Sequence, residues 1–201
     1  MMHDTFGQDS SLTDAAALQD WNAVQLGVLA HSATTADHLT AVLTSTPAFA
    51  LAHAIKGLSI LMLGRSELLP AAQAALRDAR THYEAALPRE RQYVEALADW
   101  LNGRPSQSIA RMEEVLARDP QDTLAMKLSH GIRFILGDAV GMRASIERLL
   151  PAYAPDHAGR GYLLGCHAFA LEETGDYERA ANAGRQALWM APDDAWGLHA
   201  V

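Results

Sequence analysis

Histidines are the side chains in this sequence best suited to acid-base or metal chemistry, because an imidazole titrates near neutral pH. The chain holds nine of them, and His130, His167 and His199 lie in stretches with helical periodicity. No His-Glu-x-x-His or His-x-x-x-His spacing sets two of them one helical turn apart for a metal ion. We therefore expect histidines with ordinary hydrogen bonds, no metal site and no cofactor. His199 is the one to test first for a chemical role.

The remaining reactive side chains also indicate no reaction. Cys166 directly precedes His167, and adjacent residues on a helix point in different directions, so they cannot form a nucleophile and its base. We expect a buried structural thiol. In the acidic pair Asp193-Asp194, one carboxylate is well placed to cap the N-terminus of the last helix. The sequence contains no phosphate-binding loop and no Gly-x-Ser-x-Gly motif, so no catalytic residue is predicted.

Composition narrows the class of partner. The chain has 24 acidic and 16 basic side chains, a formal net charge of -8, which repels phosphate backbones and disfavours nucleic acid. No stretch approaches the roughly 18 apolar residues of a membrane span, and cationic amphipathic faces are lacking, so no membrane partner is expected. A single cysteine allows no internal disulfide. These features favour a cytoplasmic protein.

Helices must position whatever site exists, because apolar residues recur at intervals of three and four nearly throughout. We predict an all-α chain in which residues 1–11 are polar and disordered and residues 12–201 form a single solenoid. Thr13 or Asp14 is expected to cap the first helix. An irregular helix pair over 12–47 precedes the more regular part.

Four glycines divide that regular part. Gly64, Gly103, Gly137 and Gly175 each follow an apolar helix and precede a short polar turn, and the middle two are 34 residues apart. This spacing predicts helical hairpins over about 50–86, 89–122, 123–151 and 161–194, with a further helix beginning in 195–201. Pro120 and Pro192 stand at the same distance from the preceding turn glycine in two of these units.

The stretch from Tyr162 to Asp194 resembles a tetratricopeptide repeat. Tyr177, Ala180, Ala187 and Pro192 match that family's pattern, while Gly184 stands where a large apolar residue is usual. The resemblance implies a right-handed α-solenoid of tetratricopeptide-like helical hairpins.

Residues Gly165 to Val201, ending in the segment Asp-Ala-Trp-Gly-Leu-His-Ala-Val, are similar to the tetratricopeptide repeat protein 38 family. That likeness implies a longer helical solenoid of which this chain is the N-terminal half. It brings no established enzymatic activity. It also implies that the helix beginning at Trp196 continues past Val201.

The same resemblance implies a concave groove lined by the first helix of each hairpin. Placing the family's groove register on this sequence selects a mainly aromatic set: Tyr93, Trp100, Lys127, Phe134, Tyr162, Phe169, Glu172, Trp196 and His199. Rigid aromatic side chains supply large contact area for a peptide. Aromatic residues at helical spacing more often pack in the core, and both interpretations stay open. Lys127 alone does not make a carboxylate clamp.

We therefore expect a non-catalytic scaffold or interaction module that binds a protein segment or another extended ligand, with self-association through the C-terminal helix as a further option. The alternative is an enzyme or small-molecule-binding domain whose pocket around Trp196 and His199 is completed by a C-terminal half or a second subunit.

Overall fold

The structure, a computed structural model, describes residues 2–201, and within them the fold is all-α, as predicted. Eleven α-helices follow one another along the chain. They are α1 (Ala15–Ala30), α2 (Thr35–Ser45), α3 (Ala50–Met62), α4 (Leu69–Thr81), α5 (Pro88–Leu101), α6 (Pro105–Arg118), α7 (Thr123–Ile135), α8 (Ala139–Leu149), α9 (Arg160–Glu173), α10 (Tyr177–Met190) and α11 (Ala195–His199).

Helices that follow one another in the chain pack against each other. The closest such pairs are α1 with α2, α3 with α4, α5 with α6 and α9 with α10. In addition, α3 contacts α5, and α7 contacts α9. The pairs are therefore helical hairpins, and contacts between first helices occur where α3 meets α5 and where α7 meets α9.

The four turn glycines predicted from the sequence all have a left-handed backbone. Gly64, Gly103, Gly137 and Gly175 have φ of 65°, 73°, 71° and 81°. Glycine has no Cβ atom and adopts this conformation without steric strain, so these residues can end α3, α5, α7 and α9. In the hairpin predicted over about 50–86, the second helix is the 13-residue α4, and 3-10 turns at Ser66–Leu68 and Tyr83–Ala85 flank it.

The prediction that residues 1–11 are disordered is wrong for the described residues 2–11. Met2–His3 (β1) and Asp9–Ser10 (β2) form a small antiparallel sheet. The turn between them is held by Asp4, whose Oδ1 accepts the backbone N–H groups of Phe6 and Gln8, both at 2.9 Å. The Ser11 N–H then donates to the buried Glu90 carboxylate of α5 at 2.9 Å.

The sequence hid this hairpin because its alternating burial is carried largely by polar residues. Asp4, Phe6, Gln8 and Ser10 are buried while the residues between them are exposed. Only Phe6 is apolar in that series, so hydropathy shows no period-two pattern. The hairpin is held instead by hydrogen bonds to Asn22 of the adjacent α1 and to Glu90 of α5, which is 79 residues from Ser11.

Helix α7 lies where distant parts of the chain meet. Besides its chain neighbours α6 and α8, it contacts α1, α3 and α9. Helix α11 in turn packs on α9 and α10. Consequently α1, α3, α7, α9 and α11 are brought to one region, which holds the candidate site. Among residues 2–201, no helix has both the length and the apolar character that crossing a membrane requires.

Candidate functional site

A cleft of about 520 Å³ lies between the end of α1, the second half of α3, the length of α7 and the start of α11. Most of its surface is apolar. Its lining includes the side chains of Val28, His31, Ser59, Met62, Leu63, Lys127, Phe134, Ile135 and Trp196. We refer to this space as the cleft.

Aromatic rings meet at the α11 end of the cleft. The Trp196 ring centroid lies 4.0 Å from that of Phe169 and 5.4 Å from that of Phe134. The imidazoles of His31 and His130 also lie 5.4 Å from Trp196, with their ring planes steeply inclined to it. Such edge-to-face pairs add to the stability gained from burial. We call this group the Trp196 cluster.

Two further predicted residues adjoin this cluster. The His199 ring lies 5.2 Å from that of Phe169, and its Nδ1 is 2.9 Å from the Glu172 carboxylate. Both residues lie outside the cleft lining. The structure thus brings together Lys127, Phe134, Phe169, Glu172, Trp196 and His199, six of the nine predicted side chains.

The other three predicted groove residues lie elsewhere. Tyr93 is fully buried, and its hydroxyl donates to Asp122 at 2.8 Å. Tyr162 is 6% exposed and donates to Asp193 at 3.0 Å. Half-buried Trp100 packs against the core. The structure therefore does not place Tyr93 and Tyr162 in the cleft, because Tyr93 bonds to the buried Asp122 and Tyr162 packs with Phe6 and Leu29.

The polar centre of the cleft is Lys127 on α7. Its side chain is 4% exposed, and its Nζ lies 3.8 Å from Asp194 Oδ1 and 5.3 Å from the centre of the Trp196 ring. Among the described residues, the Lys127 ammonium and Asp194 Oδ1 have no hydrogen-bond partner. The two groups therefore attract each other without the short contact that stabilises a buried ion pair.

Burial shifts the titration of these groups toward their neutral forms. Desolvation lowers the pKa of Lys127 and raises the pKa of Asp194, even though each charge partly supports the other. Desolvation also lowers the pKa of His130 to about 3, and the Lys127 and Arg133 charges add to this effect. His130 is thus a neutral imidazole at pH 7.

Glycines on α9 allow the segment before α11 to come close enough to form this arrangement. A Cβ atom on Gly165 would lie 1.6 Å from Asp194 Oδ2, and one on Gly161 would lie 2.7 Å from the Ala191 side chain. Asp194 Oδ2 accepts the Gly197 N–H at 2.7 Å, which confirms the predicted N-terminal cap of the last helix. The cap fixes the start of α11 and so holds Trp196 beside Lys127.

The sequence patterns do not indicate that α1 and α3 form walls of the cleft, with His31, Ser59 and Met62 in its lining. These helices belong to the irregular pair and to the first hairpin, and no periodicity indicates that they contact α7. The structure shows a local feature at this wall: His31 caps α1 with φ of 57°, a left-handed conformation that is rare for non-glycine residues. A bulky residue held there is a sign of a functional or packing constraint.

Cys166 is a buried thiol, as predicted, and burial raises its pKa to about 12. Within residues 2–201, no three His, Cys, Asp or Glu side chains lie close enough to hold a metal ion.

No protein-family model matches this chain, and no solved structure matches it.

Proposed function

We propose that this chain is a non-catalytic binding module, a solenoid of tetratricopeptide-like helical hairpins, that holds an apolar segment of a partner protein or another extended ligand in the cleft. The stacked hairpins and the left-handed turn glycines support the repeat architecture. The likeness of Gly165–Val201 to the tetratricopeptide repeat protein 38 family is part of the same proposal, as is action in the cytoplasm.

The observation that carries the proposal is the apolar lining of the cleft, continued onto its rim. Leu63, Phe134 and Ile135 line the cleft and yet are 62%, 44% and 48% exposed. Contiguous exposed apolar side chains beside a cavity of ligand size mark binding sites in soluble proteins. A ligand that filled the cleft and extended over this rim would remove both surfaces from water.

The charges around the cleft support recognition by apolar contact. Lys127 is the cation in its lining, and Asp194 offsets that charge at 3.8 Å. The protein as a whole carries a formal net charge of -8. The cleft therefore offers no net positive charge to attract an anionic polymer, whereas an uncharged apolar segment enters at little electrostatic cost.

Filling the cleft by mutation tests this proposal. Ser59 lines the cleft from α3, so Ser59→Phe places a ring in the binding space. We expect the affinity for Nile red, an uncharged apolar fluorescent probe, to fall at least about tenfold, which corresponds to about 1.4 kcal/mol. The matched control Ser106→Phe, at an exposed position of α6, should bind like the wild type.

Circular dichroism checks that both variants keep their helices. Equal probe affinity in the wild type and in a folded Ser59→Phe protein would refute binding in the cleft.

A second candidate function is a small-molecule or enzyme pocket around Trp196 and His199, closed by a C-terminal half or a second subunit. The buried Lys127–Asp194 pair favours it, because ionisable groups with shifted pKa values cluster in such pockets. Self-association would use Leu198 and Val201, which are 67% and 60% exposed. Under this alternative, His199→Gln abolishes binding of a small ligand while leaving helical content intact. Under the main proposal it changes neither.

A further inference from the structure

The protein uses lysine sparingly, and one of its lysines is buried in the cleft. Of its 16 basic side chains, only Lys56 and Lys127 are lysines. Arginines form the ion pairs that hold helices together, as in Arg89 with Asp122 and Arg143 with Asp176. Arginine cannot lose its proton in a protein, whereas a buried lysine can. At the cleft the chain thus carries the one kind of cation that can become a nucleophile.

The surroundings of Lys127 leave its amine free to react. The amine lies beside the cleft, and no described residue accepts a hydrogen bond from it. Its ionic partner, Asp194 Oδ1, is 3.8 Å away and also lacks a hydrogen bond within the described chain. This is near enough for the carboxylate to receive the ammonium proton after a small movement of either side chain.

The other titratable groups that face Lys127 do not compete for this role. Cys166 of α9 stays a thiol at neutral pH, because burial raises its pKa to about 12. Desolvation and the nearby Lys127 charge lower the pKa of His31 at the end of α1 to about 4, and His130 of α7 is neutral for the reason given above. Asp194 is therefore the carboxylate left to exchange a proton with the amine.

We propose that Lys127 captures a carbonyl compound with an apolar body, an aldehyde or a ketone, as a Schiff base in the cleft. The inference rests on the proposed function, since the cleft must first admit the apolar body. Asp194 takes the ammonium proton, and the neutral Nζ attacks the carbonyl carbon. A carbon–nitrogen bond forms while the carbonyl electron pair moves to oxygen, and this oxygen takes one of the two hydrogens of the attacking nitrogen.

The resulting carbinolamine expels its hydroxyl together with the remaining amine hydrogen as water, which leaves the imine. The net change is amine plus carbonyl giving imine plus water. Nothing is oxidised or reduced, and hydrolysis reverses the step. Retention of the ligand is therefore covalent and reversible.

Reductive trapping tests this inference, with Lys56 as the internal control. Lys56 is exposed on α3 and lies outside the cleft lining. The wild-type protein is treated at pH 7 with octanal and sodium cyanoborohydride, and alkylated lysines are quantified by peptide mass spectrometry. We expect octanal to alkylate Lys127 at least about tenfold faster than Lys56, because the apolar cleft concentrates the aldehyde beside an amine whose pKa is lowered by burial.

Two comparisons separate possible outcomes. Acetaldehyde, which lacks an apolar body, should lose most of the preference for Lys127, and Ser59→Phe should lose the Lys127 adduct while leaving that of Lys56. Alkylation of Lys56 at an equal or greater rate than Lys127 would overturn the inference. If that happens while the fluorescent probe still binds in a Ser59-dependent way, covalent capture fails and the proposed function stands. If the probe does not bind either, both fail.

Discussion

Single buried side chains determine how the helices of this protein are held, and Asp122 is the strongest example. It is fully buried, caps α7 through the Ala125 N–H at 3.0 Å, and accepts the Tyr93 hydroxyl at 2.8 Å. Arg89 Nε donates to its second oxygen at 2.5 Å. One carboxylate thus joins α5 to α7, which carries Lys127.

We predict that Asp122→Ala lowers the free energy of unfolding by about 3–5 kcal/mol, because it leaves the Arg89 charge buried without a partner. The control is Asp138→Ala at the cap of α8, whose side chain is 40% exposed, and it should cost about 1 kcal/mol. Urea denaturation followed by circular dichroism measures both. Equal losses in the two variants would show that the buried network adds nothing beyond the helix cap.

Burial of the neutral His130 imidazole makes the free energy of unfolding fall as the pH is lowered. Its folded pKa of about 3 lies below the ordinary value of 6.5, so between these values the unfolded chain binds more protons. The contribution is complete above pH 6.5 and is lost progressively as pH falls toward 3. From pH 7 to pH 5 we predict a loss of roughly 2 kcal/mol from this residue.

His130→Leu should remove that loss, and the comparison of urea midpoints at pH 7 and pH 5 measures it. Other groups titrate equally in both proteins, so the difference between their pH profiles isolates His130. Identical profiles would contradict a neutral buried imidazole.

Among the elements, the N-terminal hairpin makes a contact that joins distant parts of the chain. Phe6 is 5% exposed and packs with Leu29 of α1, Tyr162 of α9 and Ala191. The hairpin therefore stabilises α1 against α9, and α1 supplies one wall of the cleft.

Two matched substitutions distinguish this role from ligand binding. Phe6→Ala should lower the free energy of unfolding by about 3 kcal/mol, as for other buried phenylalanines. Phe134→Ala removes a ring that is 44% exposed at the rim and pairs with Phe169 and Trp196, so it should cost less than Phe6→Ala, about 1–2 kcal/mol, but weaken binding of the fluorescent probe. Denaturation and probe titration of both variants check the prediction. The reverse pattern would mean that the hairpin, and not the rim, contacts the ligand.

Some elements of this fold could be predicted from the sequence and others could not. Helix periodicity, the four turn glycines and the caps at Asp14 and Asp194 are local signals, and the structure confirms them. The hairpin at residues 2–10 escaped because polar side chains carry its burial. The site was predicted in part. The groove register taken from the family resemblance selected residues of the Trp196 cluster, but it also selected Tyr93 and Tyr162, which are buried.

At the scale of the whole molecule, the cleft is a product of long-range closure. Its walls come from α1, α3, α7 and α11. Helix α7 contacts α1 and α3, although three or more helices lie between them in the chain. No local pattern encodes that contact, so the α1 and α3 walls could not be predicted. The same closure explains why an apolar space of ligand size persists beside a buried lysine.

Binding in the cleft is tested most directly by locating the residues that an apolar ligand contacts. The protein is irradiated with an alkyl diazirine, a photoreactive aliphatic probe, and the labelled residues are identified by mass spectrometry. We predict saturable labelling on the peptides that carry Met62, Phe134 and Trp196. The contradictory result would be labelling concentrated on Trp189 and Tyr177, apolar side chains outside the cleft that are 84% and 69% exposed, with the cleft peptides unmodified.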